Sequence, residues 1–307
     1  MKIITLTLNP AFDVHCHTAQ FLPFHENLVT VTQREAGGKG VNISRALTRN
    51  GVENVAVVVL GEENAEGFRK ALAADAMCWR EIVLPGRIRE NITIHADCSN
   101  ETRISFAGFD CDAALLKQVE STVSDLIDKN TVLTFTGRIP AGLSMPEVKA
   151  FLSRMQAKGV KVVIDSKSFS TEDLLTQRPW LIKPNQEEIG EYLGRTVETF
   201  DDVLAAATDL HRTGIENVMI SLGAQGALLV CRDGCFVATP PRIQAVSTIG
   251  AGDSSIAGFL AAMAEGKTLV ECLRTAIAYG TAACLTPGTQ PPKTEDVQAI
   301  SAQIQMH

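Results

Sequence analysis

Ser247-Thr-Ile-Gly-Ala-Gly-Asp-Ser-Ser255 is the stretch on which the reading of this 307-residue chain turns. It follows a β-rich segment ending near Val246 and opens an amphipathic helix. The apolar face of that helix carries Ile256, Phe259, Leu260 and Met263, and Gly266 stops it. Gly250 and Gly252 let the backbone bend tightly. The amides of Ala251, Gly252 and Asp253 are then left unpaired at a helix N-terminus, where the helix dipole makes an anion hole. Asp253 is the odd residue, because a carboxylate beside a phosphate site is unfavourable unless it works there. Its natural job is to deprotonate an attacking hydroxyl while the amides hold a phosphoryl group. The plainer alternative is a first-turn Asp stabilised by the dipole.

Other motifs fit the same job. Gly37-Gly38-Lys39-Gly40-Val41-Asn42 opens a second helix, with close backbone approach, one charge and one hydrogen-bonding fork. It is neither a Walker A loop nor G-x-G-x-x-G, and a mere tight turn explains it equally well. Lys183-Pro-Asn-Gln-Glu-Glu188 ends a strand and starts a helix. Asn185 and Glu188, one turn apart, suit a hydrated Mg²⁺, or simply a capping box. Ser221-Leu-Gly-Ala-Gln-Gly226 follows a strand, as a phosphate-tracking backbone or a hairpin turn. Asp13, just after Asn9-Pro10, is placed to grip a sugar hydroxyl or to cap a turn.

Around these motifs, short β-branched runs at 2–8, 54–60, 131–136, 160–165, 180–183, 217–221, 226–230 and 235–239 alternate with helical stretches. The helices are expected at 39–50, 64–75, 112–128, 144–158, 186–193, 201–213, 252–265, 268–285 and 295–305. The pattern predicts an α/β fold with a mostly parallel sheet covered on both faces. Two segments, about 11–35 and 88–108, break the rhythm. Alternating runs at 13–17 and 27–33, and a hairpin of 91–97 and 103–106 turning at Ser99-Asn100, predict a small separate sheet. Such a sheet at the edge of the core is a natural lid or subunit contact, and a homodimer through it is expected.

Composition narrows the function classes. A net charge of −7 argues against nucleic acid or an anionic membrane as the main partner. No apolar run approaches the roughly 20 residues of a membrane helix. The eight cysteines are scattered without C-x-x-C, and no export signal opens the chain, so a cytoplasmic protein with reduced thiols is expected.

In series, these motifs resemble the PfkB type of ribokinase-like carbohydrate kinase, over nearly the whole chain. The order is Asn-Pro-x-x-Asp, Gly-Gly-Lys-Gly-x-Asn, Lys-Pro-Asn-x-x-Glu, Ser-Leu-Gly-x-x-Gly-Ala and Gly-Ala-Gly-Asp-Ser. The similarity is greatest to the phosphosugar branch, and the opening Thr-Leu-Asn-Pro-Ala-Phe-Asp leans toward 1-phosphofructokinases. The resemblance implies a three-layer α/β/α core with a lid, ATP and Mg²⁺, and one kinase domain over residues 1–307. It implies Asp253 as base, with Gly250, Ala251 and Gly252 as anion hole. Asp13, Gly38, Lys39 and Asn42 would bind the sugar. Lys183, Asn185, Glu188, Ser221, Gly223, Gly226 and Gly252 would serve ATP, with Asn185 and Glu188 acting on the metal through water. Residues 281–289 would lie near the adenine. Arg89 and Arg103 are the candidates for the substrate phosphate, with Lys167 a weaker one. Where relatives read Gly-Ser-Leu-Pro, this chain has Gly137-Arg138-Ile139-Pro140, which adds Arg138 to the phosphate candidates or reshapes the pocket for another acceptor.

Overall fold

The computed structural model describes residues 1–97 and 101–307. The chain begins β1 (Lys2–Thr7), β2 (Ala11–Thr18), β3 (Thr30–Gly37), α1 (Lys39–Arg49), β4 (Val55–Gly61), α2 (Ala65–Ala74), β5 (Trp79–Leu84), β6 (Arg89–Ala96), β7 (Thr102–Ser105), α3 (Ala113–Ser124) and β8 (Thr131–Thr136). It continues α4 (Met145–Ala157), β9 (Lys161–Asp165), α5 (Thr171–Gln177), β10 (Leu181–Ile182), α6 (Gln186–Leu193), α7 (Phe200–Arg212) and β11 (Asn217–Ser221). A single 3₁₀ turn (Gly223–Gln225) leads to β12 (Ala227–Cys231), β13 (Gly234–Thr239), α8 (Ala251–Ala264), α9 (Leu269–Ala283), α10 (Thr294–Ser301) and β14 (Gln305–Met306).

Ten strands form one sheet in the order β14-β13-β12-β11-β10-β9-β8-β1-β4-β5. Pairing is parallel from β11 through to β5 and antiparallel at the β12–β14 edge. Alternation along each strand builds two cores. Ile3, Val132, Val163 and Leu181 pack with α1, α8 and α9. Their neighbours Ile4, Leu133, Ile164 and Ile182 pack on the other face with α2 through α7. A strand buried on both faces is apolar or β-branched along its length, and the buried threonines of β1 and β8 keep to that rule, which is why these runs read as continuous.

The chain runs outward from β1 to β4 and β5, then returns to the other side of β1 at β8. Ligand crevices in open α/β sheets open at the carboxyl ends of strands beside such a reversal. α8 is fixed above it by close packing on α9: a Cβ at Gly258 would lie 2.8 Å from the Tyr279 ring and would meet the Thr275 carbonyl at 2.5 Å.

The two segments outside the alternating pattern form a four-stranded sheet, β3-β2-β6-β7. β2 and β6 pair in parallel from Ala11↔Arg89 to Thr18↔Ala96, so two distant stretches of chain make one lid. The second strand of the first segment lies at Thr30–Gly37 rather than 27–33. The expected turn at Ser99-Asn100 lies outside the described residues.

Three further expectations are corrected. No strand reaches Val246, because Pro240 and Pro241 follow β13 and residues 240–250 are irregular. The last helix ends at Ser301, and the chain then adds the edge strand β14. β5 and α5 were not expected: Trp79–Leu84 is an edge strand in which Arg80 and Glu81 stand side by side and break both an apolar run and a strict alternation, and α5 is only seven residues long. Among the described residues, no helix is long and apolar enough to cross a membrane.

Candidate active site

The carboxyl ends of β1, β8, β9 and β10, the N-terminal turns of α1 and α8, and the lid together line a cleft of about 980 Å³. Gly38, at φ 121°, starts α1, and Gly250, at φ 78°, starts α8. Both are left-handed conformations that favour glycine. Gly40 is required by proximity, since a Cβ there would lie 2.7 Å from the Leu6 carbonyl oxygen. The two helix N-termini are thereby pressed against the end of β1 and against each other.

Asp253 lies in the first turn of α8 and is 7% exposed. Asn42 Nδ2 donates to its Oδ2 at 2.9 Å. Burial, with the nearby Asp165 charge, pushes the Asp253 carboxyl up to about 6, against the pull of Lys39, the Asn42 bond and Lys183. A carboxyl in that range is a competent base near neutrality. The Gly252 amide has no backbone acceptor among the described residues, nor has that of Asp253. The Ala251 amide instead turns to the Thr248 carbonyl at 3.4 Å, closing the turn. Lys183 approaches the same turn, its Nζ 3.0 Å from where a Gly252 Cβ would stand.

Lys39, which lines the cleft, reaches across to the end of β9. Its Nζ donates to Asp165 Oδ2 at 2.9 Å. Burial works against the ammonium, but Asp165 and then Asp253 hold its pKa above the ordinary lysine value. Asp165 is buried at the end of β9. Despite that burial, Lys183 and Lys39 keep its carboxyl below the usual range. Asp165 is a site residue that the sequence reading missed. Its signal is the carboxylate ending an otherwise apolar strand.

Under the lid, Asn91 Nδ2 donates to Asp13 Oδ1 at 2.8 Å. Asp13 has its pKa raised by burial, against that bond and the surrounding cations. Arg89 donates from Nε to Asn9 Oδ1 at 3.0 Å and from Nη1 to Asn91 Oδ1 at 2.8 Å. Asn9, the first residue of the Asn-Pro-x-x-Asp motif, and Asn91, which no motif marked, therefore also line the cleft. Burial and the neighbouring Arg138 charge lower the pKa of Arg89, against the pull of Asp13. Among the described residues, neither Arg89 nor Arg138 has a carboxylate ion-pair partner within the salt-bridge distance. Arg103 also lines the cleft, but it is half exposed and ion-paired to Glu101.

At the opposite end, Asn185 and Glu188 form a reciprocal capping box at the start of α6. Asn185 Oδ1 accepts from the Glu188 amide at 2.7 Å, and Glu188 Oε2 accepts from the Asn185 amide at 3.0 Å. Glu188 also lines the cleft, and its Oε1 stands 3.4 Å from Lys167 Nζ. Lys167 is thus at this end and not at the lid. Asn185 is bridged to Ser221, which lines the cleft too. Gly223 and Gly226 are not part of the lining. They shape the β11–β12 turn, where a Cβ at Gly226 would collide with the Ala238 carbonyl. Residues 288–289 pack beside the anion-hole turn, with Thr289 against Gly250 and lining the cleft.

Comparison with known proteins agrees with this geometry. The model of the pfkB family carbohydrate kinases matches residues 13–296. The chain is 30% identical over 305 residues to a 1-phosphofructokinase of Escherichia coli K12, covering 99% of this chain and 98% of the relative. It is 30% identical over 307 residues to the ATP-dependent 6-phosphofructokinase isozyme 2 of the same strain, covering 99% of each. A crystal structure of phosphofructokinase-2 from Escherichia coli with substrates and products matches with a TM-score of 0.92 and 31% identity over 99% of both chains. With a cleft, a buried carboxylate at a helix N-terminus and a family match over nearly its full length, this chain belongs to the pfkB family of carbohydrate kinases.

Proposed function

We propose that this kinase transfers the γ-phosphoryl group of ATP to fructose 1-phosphate, giving fructose 1,6-bisphosphate. The observation that carries the reading is the pair Arg89 and Arg138. Two guanidiniums that form no ion pair among the described residues line one cleft; Asp13 favours the Arg89 charge more than Arg138 opposes it, but one carboxylate cannot neutralise two guanidiniums, and a dianionic phosphate between them relieves the repulsion that remains. An unphosphorylated sugar leaves that repulsion in place. Arg103 supplies an outer contact. Asp13, Lys39 and Asn42 hold sugar hydroxyls, with Gly38 allowing close approach. Thr7 and Thr136 add further polar residues to the lining of the same cleft.

Asp253 takes the proton of the acceptor hydroxyl on a carboxylate oxygen as that hydroxyl attacks the γ-phosphorus in line. The turn Gly250-Ala251-Gly252, with the Gly252 and Asp253 amides and Lys183, neutralises charge on the transferring group. ATP lies along Asn185, Glu188 and Ser221, on a turn shaped by Gly223 and Gly226. Glu188 fits a Mg²⁺ role: it lines the cleft, the capping box uses Oε2, and Oε1, held only by Lys167 at 3.4 Å, is the oxygen left for the ion, with Asn185 beside it. Both would act through water, and bound Mg²⁺ would screen the ATP phosphates. The four-stranded sheet acts as a lid on one kinase unit spanning 1–307, with lid segments at about 11–35 and 88–108.

The lid exposes Phe24, Leu28 and Val31, and a homodimer covering this face accounts for them. The seven described cysteines are free, which suits a cytoplasmic enzyme. The second reading within the family, tagatose 6-phosphate or fructose 6-phosphate as acceptor, rests on Arg138 standing where relatives carry Ser. ADP release measured over fructose 1-phosphate, fructose 6-phosphate, tagatose 6-phosphate and free fructose tests the proposal. Fructose 1-phosphate should give the highest kcat/KM. Equal turnover of free fructose would defeat it.

A further inference from the structure

A second cavity, of about 470 Å³, shares no lining residue with the catalytic cleft. It lies between the end of α1, the end of α2 and the loop that leads into α10. Arg45, on α1, is buried at 3% exposure and reaches this cavity. Its Nε donates to Asp75 Oδ2 at 2.6 Å and its Nη2 to the Ala36 carbonyl, while Nη1 is buried without a partner. Two more cations, Arg49 and Lys293, stand exposed at the rim, and neither forms an ion pair among the described residues. Both carboxylates of the lining are already engaged. Asp75 holds Arg45, and Glu35 accepts from Thr289 Oγ1 at 3.1 Å and Gln33 Nε2 at 2.5 Å.

We propose that this cavity binds a small phosphate-bearing anion of two or more negative charges, separate from both substrates. Among the described residues, a buried guanidinium nitrogen without an acceptor and two cations without ion pairs make three positive charges against the two carboxylates of the lining, and this excess selects for an oxyanion with several acceptor oxygens. The volume falls within the range of small-molecule sites. The site is also connected to catalysis. Thr286 and Gln290 of its wall flank Thr289, which lines the catalytic cleft, packs on Gly250 and is tied to lid strand β3 through Glu35.

Calorimetric titration with inorganic pyrophosphate, in the presence of a saturating non-hydrolysable ATP analogue, tests the site. The full chain should bind one pyrophosphate. Arg49→Ala/Lys293→Ala should weaken that binding at least tenfold while keeping its basal kcat. Arg89→Ala, altered only in the catalytic cleft, should bind as the unaltered protein does. No binding, equal binding in the Arg49/Lys293 variant, loss in Arg89→Ala, or displacement by sodium chloride at matched ionic strength would each overturn the proposal.

Discussion

Asn42 Nδ2 stands 2.9 Å from Asp253 Oδ2, and this one bond joins the N-terminal turns of α1 and α8 across the end of β1. It couples two motifs 211 residues apart in the chain. It also holds the syn or anti edge of the carboxylate in place, so that the other oxygen is free to meet an acceptor hydroxyl.

Asp253→Asn removes the base and keeps the shape. Turnover should fall by about 10²–10⁴-fold, the usual contribution of a general base, with the KM for both substrates within a few-fold of the parent. Steady-state kinetics with fructose 1-phosphate checks this, and near-normal kcat would remove Asp253 from the role of base.

The same substitution should stabilise the fold at neutral pH. The Asp253 carboxyl, raised to about 6, favours its protonated form in the folded state. Its contribution is therefore fully present below the unfolded value and is lost as pH rises through about 6. A neutral Asn avoids that loss, by up to about 3 kcal/mol at pH 8, from a shift of about two units. Thermal melts of both proteins at pH 4 and pH 8 should show the gain only at pH 8.

Asn42→Ala withdraws a hydrogen bond that favours ionised Asp253. The acid limb of the kcat/KM profile, set near pH 6 in the parent by the Asp253 carboxyl, should move to higher pH. A limb that stays in place or moves down would show that Asp253 does not govern it.

Arg138→Ser removes one guanidinium from the cleft lining. Loss of one charge-assisted contact of about 1.5–3 kcal/mol predicts a rise of about 10–150-fold in the KM for the phosphosugar, with the KM for ATP unchanged. Free fructose should be affected much less, and a matched loss on both acceptors would place Arg138 outside the phosphate site.

Glu188→Gln separates the two roles of that side chain. The amide oxygen can still accept from the Asn185 amide, so the melting temperature should barely move. The Mg²⁺ concentration giving half-maximal activity should rise about tenfold or more, because the charge is gone. Unchanged Mg²⁺ dependence would leave Glu188 as a cap alone.

Much of this was legible in the sequence for identifiable reasons. Core strands such as Val55–Gly61, buried along nearly all their length, carry no polar side chain, and glycine-led helix starts such as Gly38 and Gly250 mark their own positions. Edge elements were harder: Trp79–Leu84, with Arg80 and Glu81 adjacent, follows no strand period, and the two-residue β14 is defined only by its partner β13. In the site, the motif residues Asp13, Lys39, Asn42, Asn185, Glu188 and Asp253 come to line one cleft, whereas Asp165 and Asn91 join them through contacts that only folding brings together. Gly226 shows the converse. Its motif reads as nucleotide-binding, while its immediate requirement is the Ala238 carbonyl behind it.

The most direct test of the central claim is product identification by ³¹P NMR after incubation of ATP, Mg²⁺ and fructose 1-phosphate with the parent enzyme and with Asp253→Asn. The account predicts fructose 1,6-bisphosphate and ADP in equal amounts from the parent and only traces from the variant. ADP without a new sugar phosphate, or equal product from both proteins, would contradict it.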